Sequence, residues 1–246
     1  MPRFFVNRDS IEGGEAAITG ADAYHIARSL RMAVGDTLTL CDKEGMDYLC
    51  RLEQIRDDRC ALSVLSAEPS RVEMPVEVTL FMAYPKGDKL GTVIQKSVEL
   101  GATVIRPFES SRCVKRPTGD RIDKQLSRLR RIAEEAAKQC GRGRLPTVSE
   151  PLSFSGLLSE IGRYKLALFC YEGEGTESLR RVLEGRELAE GDRVAVIVGC
   201  EGGFSPEEAE AVIRSGGVAV GLGPRILRCE TAPDYALSAL SYHFEL

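Results

Sequence analysis

Two stretches near the C-terminal end, Val198–Phe204 (VGCEGGF) and Leu222–Cys229 (LGPRILRC), carry glycine where an apolar run ends, and a helix-start signal follows each. Glycine at a strand end lets backbone come close to another group. Gly199, Gly202 and Gly203 offer N–H and C=O groups suited to the edges of a purine or a ribose. Ile226 and Leu227 are apolar loop residues whose burial against an adenine face would make sense. Arg228, Glu230 and Asp234 are the polar groups nearby. The spacing of the loops suggests one shared pocket. Two tight turns closed by a hydrophobic plug would use the same residues, and composition alone leaves both readings open.

Several familiar chemistries are excluded. A dinucleotide fingerprint needs G-x-G-x-x-G, and the nearest match, Gly221-x-Gly223, has Ile226 in the third place. No P-loop and no G-x-S-x-G elbow is present, and neither His25 nor His243 sits near a candidate nucleophile. The eight cysteines form no C-x-x-C pair, so no metal is expected and the thiols fit a reduced, cytoplasmic protein. No apolar run is long enough for a membrane span, and the first residues, MPRFFVNRDS, do not resemble a signal peptide.

The elements that must position the loops divide into two patterns. Up to residue 70, one helix over Ala21–Met32 precedes short strands at Thr37–Cys41, Tyr48–Ile55 and Cys60–Ser66, which suggests a small barrel. From residue 71, strands and helices alternate. Strands are expected at Val76–Tyr84, Thr103–Phe108, Lys165–Tyr171, Arg193–Val198 and Val218–Leu222. Helices are expected at Asp88–Leu100, Asp120–Cys140, Phe154–Ile161 and Thr176–Leu183, after Ser205-Pro206-Glu207-Glu208, and from Thr231 to Phe244. Such alternation implies an α/β domain over 71–246, with a mainly parallel sheet covered on both faces. Ligands then bind beyond the carboxyl ends of strands, where both glycine loops lie.

The net charge of −4 argues against nucleic acid only if charge is evenly spread. Between Arg106 and Arg144 there are 12 basic and 5 acidic residues, against 9 and 16 from 145 onward. Much of this block lies along the helix ending at Cys140, on Arg121, Lys124, Arg128, Arg131 and Lys138. A concentrated basic segment supplies phosphate contacts. A solvated helix face would look the same, and charge alone does not decide.

VGCEGGFSPEE followed by VGLGPRILRCETA resembles the RsmE family, ribosomal small-subunit RNA uridine-N3 methyltransferases of the SPOUT superfamily. AYPKGDKLGTVIQKSVELGATVIRPFESSRCV is similar to that family's lysine–helix–ELG–P–S-x-R segment, and RLRRIAEEAAKQCGRGRLP to its basic helix; RFF near the start fits too. The resemblance implies a SPOUT α/β domain with a trefoil knot over 71–246, preceded by a PUA-like β-barrel over 1–70 that docks RNA. It also implies a homodimer acting on 16S RNA of the small ribosomal subunit. S-adenosylmethionine would be held by Leu168, Tyr171, Glu172, Gly199, Glu201, Gly202, Leu222, Gly223, Ile226 and Leu227. Arg228 would stabilise an anionic pyrimidine, and Glu201 or Glu230 would accept a proton or hold a loop. Arg3, Arg112, Lys115, Arg116, Arg128, Arg131, Arg142 and Arg144 would hold the RNA backbone. The sequence departs from the family at Cys200, usually proline, at Cys229, often threonine, and at Leu129, commonly tryptophan. A SPOUT enzyme acting on another RNA or base atom, and a catalytically silent RNA-binding or ribosome-assembly factor, remain the alternatives.

Overall fold

The computed structural model describes residues 1–114 and 121–246. Lys115, Arg116 and the first residue of the helix expected over Asp120–Cys140 lie outside them. The chain forms two compact units, Met1–Glu73 with Ala137–Leu145, and Met74–Ala136 with Pro146–Leu246.

The first unit is built on six strands: β1 (Arg3–Phe5), β2 (Ile11–Glu12), β3 (Glu15–Thr19), β4 (Thr37–Cys41), β5 (Met46–Ile55) and β6 (Arg59–Pro69). Their order is β1-β4-β5-β6-β3-β2, with only the β1–β4 pair parallel. Register slips at Leu49/Cys50 and Leu52/Gln54 bend the β5–β6 ribbon over a core of Phe4, Ile18, Ile26, Leu38, Leu40, Leu52 and Leu62. The expected helix over Ala21–Met32 is shorter. One α-turn, α1 (Ala21–Tyr24), continues as a π-helical segment, His25–Ser29, in which Leu30 N–H donates to His25 C=O at 2.9 Å. The left-handed backbone of Arg31, φ 52°, then turns the chain away. Burial pushes the Cys41 and Cys50 thiols up to about 11, as suits core thiols.

The second unit holds a parallel sheet of β7 (Glu77–Ala83), β8 (Val104–Phe108), β9 (Thr147–Val148), β10 (Leu166–Cys170), β11 (Glu177–Ser178), β12 (Arg193–Val198) and β13 (Val218–Gly221), in the order β11-β13-β10-β12-β7-β8-β9. Val78–Ala83, Leu166–Cys170 and Val194–Val198 are buried at every position, as in a sheet covered on both faces. The helices are α2 (Lys89–Glu99), α3 (Arg121–Cys140), α4 (Phe154–Ile161), α5 (Leu179–Glu184), α6 (Pro206–Arg214) and α7 (Thr231–Glu245). α3 buries Leu126, Leu129, Ala133 and Ala136 and exposes Arg121, Lys124, Arg128 and Arg131. Leu129 is therefore a packing residue.

The helix expected over Thr176–Leu183 is divided. Glu177 and Ser178 pair with Val220 and Gly221 at the sheet edge, and α5 begins only where the Ser178 side chain accepts from Arg181 N–H. Among the described residues, no helix is long and apolar enough to cross a membrane. The parallel sheet brings the loops after β12 and β13 to one edge, with β10 between them.

Candidate active site

The loop after β12 is fixed from several sides. Ser205 and Glu208 exchange the two bonds of a capping box that starts α6, and Glu208 also accepts from Ser111 N–H at 2.7 Å. Phe204 packs edge-on against Phe169 and parallel to Phe108. A Cβ on Gly199 would lie 2.9 Å from the Phe204 ring, and Gly203, at φ 62°, sits where a Cβ would meet the Glu172 carboxylate at 2.8 Å. Arg112 donates to the Gly202 carbonyl at 2.7 Å.

The loop after β13 is open. Gly223 has a φ of 95°, and among the described residues no hydrogen bond engages the backbone N–H groups of Gly223 or of Arg225 to Leu227. Ile226 is 87% exposed. The loop closes where the Arg228 carbonyl accepts from Thr231 and Ala232 N–H, at 2.8 and 2.9 Å. The Arg228 guanidinium is exposed and has no ion-pair partner among the described residues.

A cavity of about 370 Å³ lies between the loops, lined by Gly199, Cys200, Glu201, Gly203, Phe204 and Ile226–Glu230, together with Lys89, Cys170 and Glu172. A second hollow of about 210 Å³ adjoins it and shares Cys170, Glu172, Ile226, Leu227 and Ala232; Tyr171, Thr176, Leu222, Gly223 and Arg225 complete its wall. Lys89 brings a cation to this cavity from α2. Lys89 Nζ is 3.0 Å from Glu201 Oε1 and 3.1 Å from Glu230 Oε2, and the Lys86 N–H donates to both Glu201 oxygens. Burial pushes the Glu201 carboxyl up, but Lys89 and these N–H donors more than offset it and leave it below the usual carboxylate range. Glu230 is also lowered, first by its own N–H and then by Cys229 and Lys89. Cys229, buried with its sulfur 3.2 Å from Glu230, is pushed up to about 12. Cys200 is buried, its sulfur 3.9 Å from the Ser110 hydroxyl.

Tyr171, Glu172, Gly199, Glu201, Leu222, Gly223, Ile226, Leu227, Arg228 and Glu230 therefore converge. Leu168 does not: it is fully buried in β10, in register with Val196 and Val218. Gly202 faces Arg112 instead of the cavity. Sequence reasoning missed Lys89, whose signal was a lysine at the start of a helix that follows a strand end. Helix α7 starts at Thr231, as expected, with Glu230 at its N-cap position and no side-chain cap bond.

Two of the expected RNA-backbone arginines are engaged inside the first unit. Arg142 is 3% exposed and its guanidinium pairs with Glu73, 2.6 Å at the closest, while Glu73 also accepts from Gly143 and Arg144 N–H. Arg3 forms a two-pronged pair with Asp47, with Nη2–Oδ2 at 2.9 Å. Neither presents a free guanidinium to a polyanion. Arg112, Arg128, Arg131 and Arg144 are exposed; Arg128 lies 3.5 Å from Asp88 and Arg131 3.7 Å from Glu135, both in surface pairs of small energetic weight.

The RNA methyltransferase domain family matches residues 72–241, and the RNA methyltransferase PUA domain family matches residues 18–65. The ribosomal RNA small subunit methyltransferase E of Bacillus subtilis is 35% identical over 100% of this chain and 98% of its own length. Its counterpart from Mycobacterium bovis is 32% identical, over 96% and 90%. The crystal structure of a ribosomal RNA small subunit methyltransferase E from Neisseria gonorrhoeae, bound to S-adenosyl methionine, matches with a TM-score of 0.83 at 30% identity, covering 98% of this chain and 97% of that one. A Legionella pneumophila structure described as a methyltransferase in complex with the cofactor SAM matches at 0.84 and 28%, covering 98% and 96%. Fold and family matches thus define an RNA methyltransferase with a PUA-like domain. Within that class, the chain belongs to the ribosomal RNA small subunit methyltransferase E family.

Proposed function

We propose that this chain transfers a methyl group from S-adenosylmethionine to N3 of a uridine in the 16S RNA of the small ribosomal subunit. The observation that carries this reading is the cavity shared by the two glycine loops, with unpaired backbone donors on one wall and the free Arg228 guanidinium beside it. Its volume is that of small-molecule sites, and the adjoining hollow extends it past Ile226 and Leu227. Open N–H groups at Gly223 and from Arg225 to Leu227 suit adenine nitrogens and ribose oxygens. Tyr171, Glu172, Gly199, Glu201 and Leu222 supply the remaining wall.

S-adenosylmethionine supplies an activated methyl group on a sulfonium. The chain's own contribution is orientation, since in-line attack needs the reacting atoms held at about 3 Å. Uridine N3 becomes a nucleophile only when its proton leaves. In this scheme Glu230 accepts that proton, and Arg228 balances the charge left on the pyrimidine oxygens. Arg112, Arg128, Arg131 and Arg144, with Lys115 and Arg116, hold the RNA backbone; Arg3 and Arg142 drop out because their guanidinium groups are sunk into carboxylate pairs with little exposure. With about six phosphate contacts, affinity for a ribosomal RNA fragment falls on the order of a thousandfold between about 50 and 200 mM salt.

Two further features belong to this reading. Membership of the ribosomal RNA small subunit methyltransferase E family supports a trefoil knot around the loops that follow β12 and β13. Tyr235 and Tyr242 on α7 are exposed in a hollow that Arg180 and Glu184 of α5 also line, a mixed surface that a homodimer would cover; location in the cytoplasm follows from the substrate. Small ribosomal subunits incubated with labelled S-adenosylmethionine test the proposal. Label should map to N3 of a uridine in 16S RNA, and label on another atom or none on RNA would refute it.

A further inference from the structure

We propose that Lys89 is a positioning residue of the methyl-transfer site, tying the carboxylate of Glu201 on the first glycine loop to that of Glu230 on the second and so fixing where Glu230 stands. The inference rests on the function proposed above and assigns a role to a residue that touches neither reacting atom in that scheme.

The geometry is specific. Lys89 is the first residue of α2, and its ammonium reaches carboxylates 112 and 141 residues away at 3.0 and 3.1 Å. Those carboxylates belong to the two loops that bound the cavity, and Lys89 lines it with them. Glu201 is held on its other side by the Lys86 N–H, so the clamp has a fixed end in the first loop and a free end in the second. The second loop has few restraints of its own between Gly223 and Leu227. Lys89 is thus the side-chain link that sets the distance between loop and loop at the mouth.

The clamp also sets charge. The groups around Glu230 are Lys89 from α2, Glu201 from the first loop, Cys229 and Arg228 from its own loop, and Glu172 on the cavity wall. Without Lys89, two carboxylates that share one cation would face each other unscreened. Like charges so placed raise one carboxyl and push the loops apart. The same two helices offer an internal control. Lys96 pairs with Asp234 at 3.0 Å, again from α2 to α7, but outside the cavity.

Steady-state methyl transfer across pH with K89M, K89R and K96M reads the role. K89M should raise KM for S-adenosylmethionine about tenfold and move the acid limb of kcat up by about one pH unit. K89R should restore the limb, because it keeps the charge, and K96M should leave both readouts unchanged. Equal losses in K89M and K89R with an unmoved limb, or a K89M effect no larger than that of K96M, would reduce Lys89 to a structural residue and overturn the proposal. Carbon-13 titration of the Glu201 and Glu230 carboxyls in the wild type and K89M needs no turnover. Both should titrate higher in K89M. Unchanged titrations overturn the clamp, whereas shifted titrations in a protein that never methylates RNA would refute the proposed function and leave the clamp standing.

Discussion

The loop after β12 and the loop after β13 carry similar glycine patterns at the same edge of the sheet, and they use glycine for different ends. In the first, Gly199 is glycine because the Phe204 ring stands 2.9 Å from where a Cβ would be, while Gly203 combines a left-handed φ of 62° with the Glu172 carboxylate 2.8 Å from that point. Its carbonyl at Gly202 is taken by Arg112 and its exit is locked by the capping box. In the second, Gly223 is glycine for its φ of 95°, and a Cβ there would meet only the Tyr235 hydroxyl, at 3.8 Å. Its backbone donors are open and Ile226 projects outward. One loop is a wall and the other is a surface that waits for a partner, so damage to the first should act through the fold and damage to the second through binding.

The largest expected effect comes from Arg228→Ala. Loss of a charge-balancing donor costs on the order of a hundredfold in kcat, with S-adenosylmethionine affinity little changed by calorimetry. Equal methylation rates would remove Arg228 from the chemistry. Next is Gly199→Ala. Phe204 is buried between Phe108 and Phe169 and cannot yield, so overpacking should cost about 2 kcal/mol in chemical denaturation and weaken cofactor binding with it. If the variant is as stable as the wild type, the first loop is not a rigid wall. Gly223→Ala meets no clash and should cost only about 1 kcal/mol, for the left-handed backbone. Ile226→Ala should leave stability unchanged within about 0.5 kcal/mol while loosening S-adenosylmethionine several-fold; a drop in melting temperature would show that Ile226 is packed after all.

Acid offers a further separation. Glu201 and Glu230 have carboxyls lowered in the folded state, as does Glu73, where burial opposes and the Arg142 guanidinium with the Gly143 and Arg144 N–H groups prevails. A lowered folded value means that the stabilisation is complete above the unfolded carboxyl range, near about 4.3, and is lost as pH falls through the folded value. Melting temperature should therefore hold from neutral pH to about 5 and fall below it. In Glu73→Gln that acid step should shrink, while the buried Arg142 left without its partner lowers stability at neutral pH by about 3 kcal/mol.

What the sequence made legible follows from how local each signal is. Ser205 to Glu208 spells a capping box within four residues, and the box is there. Continuous apolar runs mark the buried parallel strands. The two glycine loops mark the cavity because strand ends in a parallel sheet share an edge. Long-range pairing is what the sequence conceals. Lys89 gains its place from two carboxylates far along the chain. Arg3 and Arg142 carry the charge of RNA-binding residues, yet charge gives no report of Asp47 and Glu73 opposite them. Leu168 sits beside the site in sequence, but β10 is covered on both faces and only its last residue, Cys170, reaches the cavity. Thr176–Leu183 has helical spacing, and pairing with β13 takes its start into the sheet instead.

Amide hydrogen exchange on the two loops, with and without S-adenosylmethionine, tests the central claim most directly. The first loop, from Gly199 to Phe204, should be slow to exchange in both states. The second, from Gly223 to Cys229, should exchange fast alone and become protected when the cofactor binds. Protection that is equal in the two loops without cofactor, or a second loop that exchanges as fast with cofactor as without it, would contradict the account.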